Sequence, residues 1–487
     1  MISKDRLSHY IAGTWNVPGN SEWTEDLNPS DASQTLAQIP LGDAEVVDQA
    51  VEAAQQAAIA WRASTGPARA DVLHCVANRL AGARQELGRL VALEVGKPIN
   101  EALQEVDRGV VILRYFAEEA VHPVGEVIPA QMAGGLQFTL RQPLGSVAVI
   151  SPWNFPIAIP LWKIAPALAY GNTVVWKPAE VASFTALRLT RLFDQAGLPA
   201  GVLNLVLGRG SRIGEALTNH PGIRAVTFTG SNPVGMSIAE SAARRNIKYQ
   251  VEMGGKNAAL VLADADLDQA ARLVAAGAMR FAGQKCTATS RAIVAAEVAE
   301  AFLDRLASEI RALPVAPAIE ATSAIGPLIS HDALEKAIRY TEMGARTGSI
   351  VLGGNVSAVE ACKQGFFLEP TVIVNVPNDS PVVQEEIFGP VLAVQMAQGI
   401  DEALVLANST AYGLSVSLFT RDINAALRYL REIECGMVRV NGDTTGVDPH
   451  APFGGLRGSS SHSREQGPAA IEFFTEIKTI QINPAGA

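Results

Sequence analysis

The chain has 487 residues, 48% hydrophobic and 18% charged, a balance that describes packed globular domains rather than disorder. Its 39 Lys and Arg stand against 49 Asp and Glu, a net charge of −10, which leaves no basic footprint for nucleic acid. The apolar runs, such as residues 258–263, fall short of the about 18 to 20 residues of a membrane span, and no apolar segment follows Met1-Ile2-Ser3-Lys4-Asp5-Arg6 to make a secretory signal, so a cytoplasmic protein is expected.

Residues 8–40 read as short strands and turns at 10–15 and 27–30. From 43 to 107 the period is helical, with alanine-rich stretches at 44–60 and 68–93. Gly96-Lys97-Pro98 punctuates two helices, and a further helix is expected over 100–120. Residues 123–147 change character: Gly134-Gly135 separates β-rich segments and 138–143 reads as a strand, either a surface hairpin or a sheet extension that bridges subunits. Residues 146–253 alternate strands (146–150, 173–176, 203–206, 225–229, 249–252) with helices (161–169, 185–196, 211–218). That βαβ order predicts a parallel, doubly wound sheet, which binds ligands at the carboxyl ends of its strands. A second α/β unit is expected over 254–450, with strands at 258–262, 291–295, 391–396 and 437–441, and residues 471–482 alternate like a β tail.

The four cysteines, Cys75, Cys286, Cys362 and Cys435, are scattered without a CxxC pair, which argues against a zinc site and a disulfide framework, and no metal site is expected. A free cysteine is ordinarily a small core residue, and Cys75 in its helical run reads that way. Cys286 differs. It follows Gly283-Gln284-Lys285, and Glu252 stands upstream on the turn Met253-Gly254-Gly255-Lys256, so a nucleophile and its base are suggested. The two are 286 − 252 = 34 residues apart and must be brought together by folding.

Other motifs are ambiguous singly. Lys177 and Glu180 in Trp176-Lys177-Pro178-Ala179-Glu180 either bind ribose hydroxyls or decorate an exposed turn. Phe228-Thr229-Gly230-Ser231, before Asn232-Pro233-Val234-Gly235, opens a helix whose N–H groups attract phosphate, and Gly208-Arg209-Gly210 with Gly214 is a second Gly-rich turn; neither is a G-x-G-x-x-G. Asn154, in Ser151-Pro152-Trp153-Asn154-Phe155-Pro156, offers an amide to a developing oxyanion, or is simply a turn residue. Gln384-Glu385-Glu386-Ile387-Phe388-Gly389-Pro390 and Pro452-Phe453-Gly454-Gly455 complete the set.

Taken in order across nearly the whole chain, these motifs resemble the aldehyde dehydrogenase superfamily; Met253 replaces a usual leucine and leaves the glutamate in place. The resemblance implies the aldehyde dehydrogenase fold: two doubly wound parallel-sheet α/β domains plus a small bridging β domain. The expected boundaries are 1–122 and 148–253 for the NAD(P)-binding domain, 254–450 for the catalytic domain, and 123–147 with 468–487 for the bridging domain of a homodimer or homotetramer. It implies Cys286 as nucleophile, Asn154 and the Cys286 N–H as oxyanion donors, and Glu252 as the base. Trp153, Lys177, Glu180, Gly230, Ser231, Gly254, Glu386 and Phe388 are implied as cofactor residues, with Glu180 favouring NAD while NADP remains possible. Phe155, Ile159, Trp162, Lys285, Thr287, His450 and Phe453 are implied around a small-molecule aldehyde, and Lys163 and Glu465 as a proton relay. A dicarboxylic semialdehyde needs a cation at the tunnel mouth, for which Lys285, Arg280 and Arg457 are candidates.

Retention of Glu252 favours water over coenzyme A as the acyl acceptor. The segment from Ser459 to Gly467 with Ala470-Ile471-Glu472-Phe473-Phe474 looks most like bacterial α-ketoglutaric semialdehyde (2,5-dioxopentanoate) dehydrogenases, with succinate or glutarate semialdehyde and vanillin-like aromatic aldehydes as alternatives. A non-catalytic protein retaining the fold would be expected to have lost Cys286 or Glu252.

Overall fold

The computed structural model describes residues 5–19, 21–122 and 124–485; the predicted segment ends at 1–4, 123 and 486–487 lie outside these. The first sheet has seven strands, in the order Lys248–Glu252, Ala225–Thr229, Ser146–Ser151, Thr173–Pro178, Leu203–Leu205, His9–Ile11, Thr14–Asn16. The first five are parallel and the last two join antiparallel. Every residue of Ser146–Ser151, Thr173–Pro178 and Ala225–Thr229 is buried, as expected when helices cover both faces and strands must be apolar on both sides. Chain order reverses between Ser146–Ser151 and Ala225–Thr229, so a crevice opens at their carboxyl ends.

The second sheet also has seven strands: Ser349–Leu352, Thr371–Val374, Val391–Ala397, Arg291–Ala295, Ala258–Val261, Ser415–Phe419, Met437–Val440. Only the first of these pairs antiparallel. The predicted two-domain α/β architecture therefore stands as two separate parallel sheets.

Helix boundaries follow local chemistry. Asp43 accepts from the Val46 N–H at 3.2 Å and starts the helix Ala44–Ala63, a cap worth about 1 kcal/mol. The helical stretch read over 68–93 is in fact two helices, Gly66–Gly82 and Arg84–Val95, which part where Gly82 weakens the run. Gly96, at φ 69°, closes the second in the left-handed conformation.

A three-stranded antiparallel sheet joins Val127–Ile128, Leu136–Pro143 and Thr475–Ile482. The β tail read over 471–482 needs correction, because Ala470–Phe474 is helical. Ala470, Phe473 and Phe474 have helical spacing and are all buried, and each phenylalanine gains about 1.5–3 kcal/mol by burial. The Asn172 amide donates to the Phe474 carbonyl at 2.9 Å and its oxygen accepts from the Leu144 and Gly145 N–H groups, so one side chain pins the tail beside the first sheet. Among the described residues no helix is long and apolar enough to cross a membrane.

Candidate active site

The segment carrying Cys286 is held by backbone contacts on both flanks. After the helix Leu267–Met279 the chain passes through Phe281, Ala282 and Gly283, all left-handed, with φ of 54°, 51° and 67°. Left-handed backbone costs a non-glycine residue roughly 1–2 kcal/mol, so the surrounding packing enforces this turn. Gly283 is required there: a Cβ would lie 2.4 Å from the Gly389 carbonyl oxygen. Buried Gln284 donates to the Phe281 and Pro327 carbonyls and accepts from the Ile329 N–H. Asn257 then donates to the Cys286 and Ala288 carbonyls, each at 2.8 Å. Cys286 itself is half-buried. Burial, and then the carboxylates of Glu386, Glu252 and Glu465, push its thiol up to about 12.

Asn154 lies just past the strand Ser146–Ser151, and its amide donates to the Gln284 carbonyl at 3.0 Å, two residues from the nucleophile. Glu105 holds the following helix, Ala158–Ala169, in place. One of its oxygens accepts from the Ile157 and Ala158 N–H groups at 2.8 and 3.0 Å, and the other from Lys97. The Lys97 ammonium lies 3.6 Å from the centre of the Phe155 ring. This wholly buried ion pair thus braces the backbone that carries Asn154 and Phe155.

Glu252 ends the strand Lys248–Glu252, and the segment 459–461 runs antiparallel beside it. The Ser460 hydroxyl donates to one Glu252 oxygen, while the other is buried without a partner. Burial first, then the Glu465 carboxylate, raise the Glu252 carboxyl well above the ordinary range. Glu465 is paired with Lys163, which also donates to the Thr227 hydroxyl at 3.0 Å. The two expected relay residues are therefore together in the core, behind the base.

A cleft of about 800 Å³ opens at the crevice of the first sheet. Trp153, Lys177, Gly230 and Ser231 line it, together with Gly210 and Thr229. Ser231 does not cap its own helix, Asn232–Arg244, and the buried Thr229 hydroxyl beside it has no partner among the described residues, so polar groups at this helix start are left unused. Such a cleft fits a dinucleotide, whose phosphates need N–H and O–H donors at a helix N-terminus. Lys177 donates to the Pro178 carbonyl at 2.9 Å, and burial lowers its ammonium to about 8. Glu180 sits beside the cleft with Arg209 at 3.5 Å.

Glu386 accepts from the Gly255 N–H at 3.2 Å, and Phe388 meets Trp153 edge-on at 5.7 Å. Gly254 leaves room for that carboxylate, since a Cβ there would lie 2.2 Å from a Glu386 oxygen. Gly254→Ala is expected to displace Glu386 and raise KM for the dinucleotide about tenfold, the loss of one hydrogen bond to a charged group. An unchanged KM in steady-state kinetics would remove Glu386 from the cofactor's grip.

On the other side of Cys286 is a cavity of about 250 Å³. Phe155, Ile159, Trp162 and Phe453 form its apolar wall, and Lys285 and Thr287 flank Cys286. His450 is exposed and does not line it. Arg280 is also exposed, and Arg457 is turned away, bonded to the Asn408 and Thr410 carbonyls and paired with Glu434. Sequence reading missed Ser460, Asn257, Gln284, the Lys97–Glu105 pair, and the face of the helix Ile99–Glu119 that carries Glu101, Gln104 and Arg108 into the cavity. Of these only Asn257, next to Gly254-Gly255-Lys256, and Gln284, inside the Gly283-Gln284-Lys285-Cys286 motif, had a local signal.

The aldehyde dehydrogenase family profile matches residues 15–480. An alpha-ketoglutaric semialdehyde dehydrogenase from Bacillus subtilis is 44% identical over 477 residues, covering 98% of each chain. An alpha-ketoglutarate semialdehyde dehydrogenase from Haloferax volcanii is 40% identical, over 98% of this chain and 99% of its own. The crystal structure of a Staphylococcus aureus betaine aldehyde dehydrogenase in complex with NAD+ superposes with a TM-score of 0.95 at 32% identity, covering 99% of this chain and 95% of that one. With the profile spanning residues 15–480 and a relative 44% identical over 98% of each chain, this chain belongs to the aldehyde dehydrogenase family.

Proposed function

We propose that this protein oxidises 2,5-dioxopentanoate to 2-oxoglutarate with NAD. The observation that carries the reading is Cys286 opening onto a small cavity on one side, with the dinucleotide-shaped cleft beyond Trp153 on the other. The names of the two most similar relatives cited support the substrate, and the NAD+ complex of the Staphylococcus aureus structure supports the cofactor.

In this reading the Cys286 thiol releases its proton to water and its sulfur adds to the aldehyde carbon. The Asn154 amide and the Cys286 N–H donate to the resulting oxyanion. NAD, when bound, would supply the hydride acceptor that turns this adduct into a thioester on Cys286. Glu252 takes a proton from water as the water attacks the thioester and returns it to the departing Cys286 sulfur, so the acid leaves with the thiol restored. When the cofactor is bound, Glu180, Lys177 and Ser231 would hold its adenosine ribose and pyrophosphate, and Glu386 and Phe388 would hold the nicotinamide end. Arg209 beside Glu180 offers a cation to a 2′-phosphate, so NADP belongs in the test. The domains divide at the boundaries given above, and the protein works in the cytoplasm as a homodimer or homotetramer. Its subunit contact is the three-stranded sheet, where Leu136, Leu140, Ile477 and Ile482 are exposed.

Purified protein with NAD or NADP and a panel of aldehydes tests the reading. NADH absorbance should grow fastest with 2,5-dioxopentanoate and need no coenzyme A. No turnover with any aldehyde would end the proposal, and a requirement for coenzyme A would end its hydrolytic step.

A further inference from the structure

The four charged side chains that line the aldehyde cavity, Glu101, Glu105, Arg108 and Lys285, sum to zero, and the buried Lys97 paired with Glu105 behind the wall adds one cation to them, so one positive charge is left over. Residues 101, 104, 105 and 108 recur at helical spacing, so one stripe of that helix forms the polar wall. Lys285 pairs with Glu101 at 2.7 Å, and both are largely covered. Burial pushes the Glu101 carboxyl up, but Lys285, with Lys97 and Arg280 behind it, holds it below its ordinary value, so this pair stays charged and mutually neutral. Glu105 is spent on Lys97 and on two backbone N–H groups. Arg108 alone has no carboxylate partner among the described residues. Its Nη1 donates to the Val447 carbonyl, which fixes the guanidinium at the cavity wall, and its Nε–Nη2 edge makes no hydrogen bond to the described residues. That edge is the side of a guanidinium that matches a carboxylate with two parallel N–H···O bonds.

We propose that Arg108 is the seat of the substrate's carboxylate and sets the preference for acidic over neutral aldehydes. The inference deepens the proposed function and rests on its placing the aldehyde carbon at Cys286. With the reacting end at the sulfur, the far end of a short chain must lie against the cavity's remaining wall, where the uncancelled positive charge stands. Lys285, the cation adjacent to Cys286 in sequence, is occupied by Glu101 and serves as scaffold.

The test compares wild type with Arg108→Gln and Arg108→Lys on 2,5-dioxopentanoate and succinate semialdehyde, and on neutral pentanal and phenylacetaldehyde. In R108Q, kcat/KM for the two acidic aldehydes should fall about 10²-fold, or about 2.7 kcal/mol, mostly through KM. For the neutral aldehydes it should change less than about threefold, because uniform binding to a carboxylate is all that was removed. R108K should recover part of the loss, as a point charge without the fork. An equal loss on acidic and neutral aldehydes would reduce Arg108 to a tether for Val447 and overturn the proposal. A wild type that prefers acidic aldehydes, with R108Q keeping that preference, would overturn this inference and leave the function standing. A wild type that oxidises only neutral aldehydes would overturn the substrate reading as well.

Discussion

Replacing Cys286 with alanine is expected to reduce aldehyde oxidation by about 10⁴-fold or more while dinucleotide binding persists. Loss of a covalent nucleophile leaves only binding and oxyanion donors, which in such systems preserve a small residue of the rate. The cleft that fits the dinucleotide is lined by Trp153, Lys177, Gly230 and Ser231, and Cys286 is not part of it, so quenching of tryptophan fluorescence by NAD should titrate as in wild type. Near-normal turnover in the variant would take the nucleophile's role from Cys286. A second outcome follows from the thiol lying near 12. Below that value the thiolate fraction grows tenfold for each unit of pH, so alkylation of the free enzyme by iodoacetamide should climb steadily from pH 7 to 10. A plateau reached by pH 7 would mean a thiolate already formed at rest.

How much of this was visible in the chain differs by part. The parallel strands of the first sheet and four strands of the second were legible because residues buried on two faces leave largely apolar runs, such as Ser146–Ser151 and Ala258–Val261, whereas Ser349–Leu352, Thr371–Val374 and Ser415–Phe419 were not read. The tail helix was not, since Ile471 to Phe474 is too short to display a period, and it is Asn172, some 300 residues earlier, that holds it. Within the site, residues in turn motifs were readable, because Gly-Gly at 254 and Gly-Gln at 283 mark backbone that must fold tightly. The supporting groups were not. Glu105 and Arg108 look like ordinary surface charges on an amphipathic helix, and Lys97 like a turn residue; only the fold reveals that one pair is buried and that the remaining cation faces a cavity. His450 shows the converse: a residue near a motif in sequence that the loop leaves in solvent.

Glu252→Gln is expected to slow the second half of the reaction by about 10²–10⁴-fold, the usual weight of a general base. The geometry explains why the carboxylate is so placed. One oxygen is held by Ser460, and the other is buried without a partner, close to Gly454, where a Cβ would come within 3.1 Å of it. A free oxygen in a dry site is available to water arriving at the thioester. Burial and Glu465 raise the carboxyl, which brings the base toward neutral pH at the cost of leaving more of it protonated on the acid side. The sign is therefore fixed: acyl-enzyme hydrolysis in the wild type should rise with pH through the elevated value of Glu252, and Glu252→Gln should lose that limb. Rapid mixing with saturating NAD and aldehyde separates the steps. The variant should give a burst of NADH equal to the active sites, then a slow steady state. Absence of a burst with a slow first turnover would show Glu252 acting on the Cys286 thiol instead, and a wild-type hydrolysis rate would remove it from the water step. Gln keeps the Ser460 contact and the volume, so a fall in rate reports the lost base rather than a collapsed pocket.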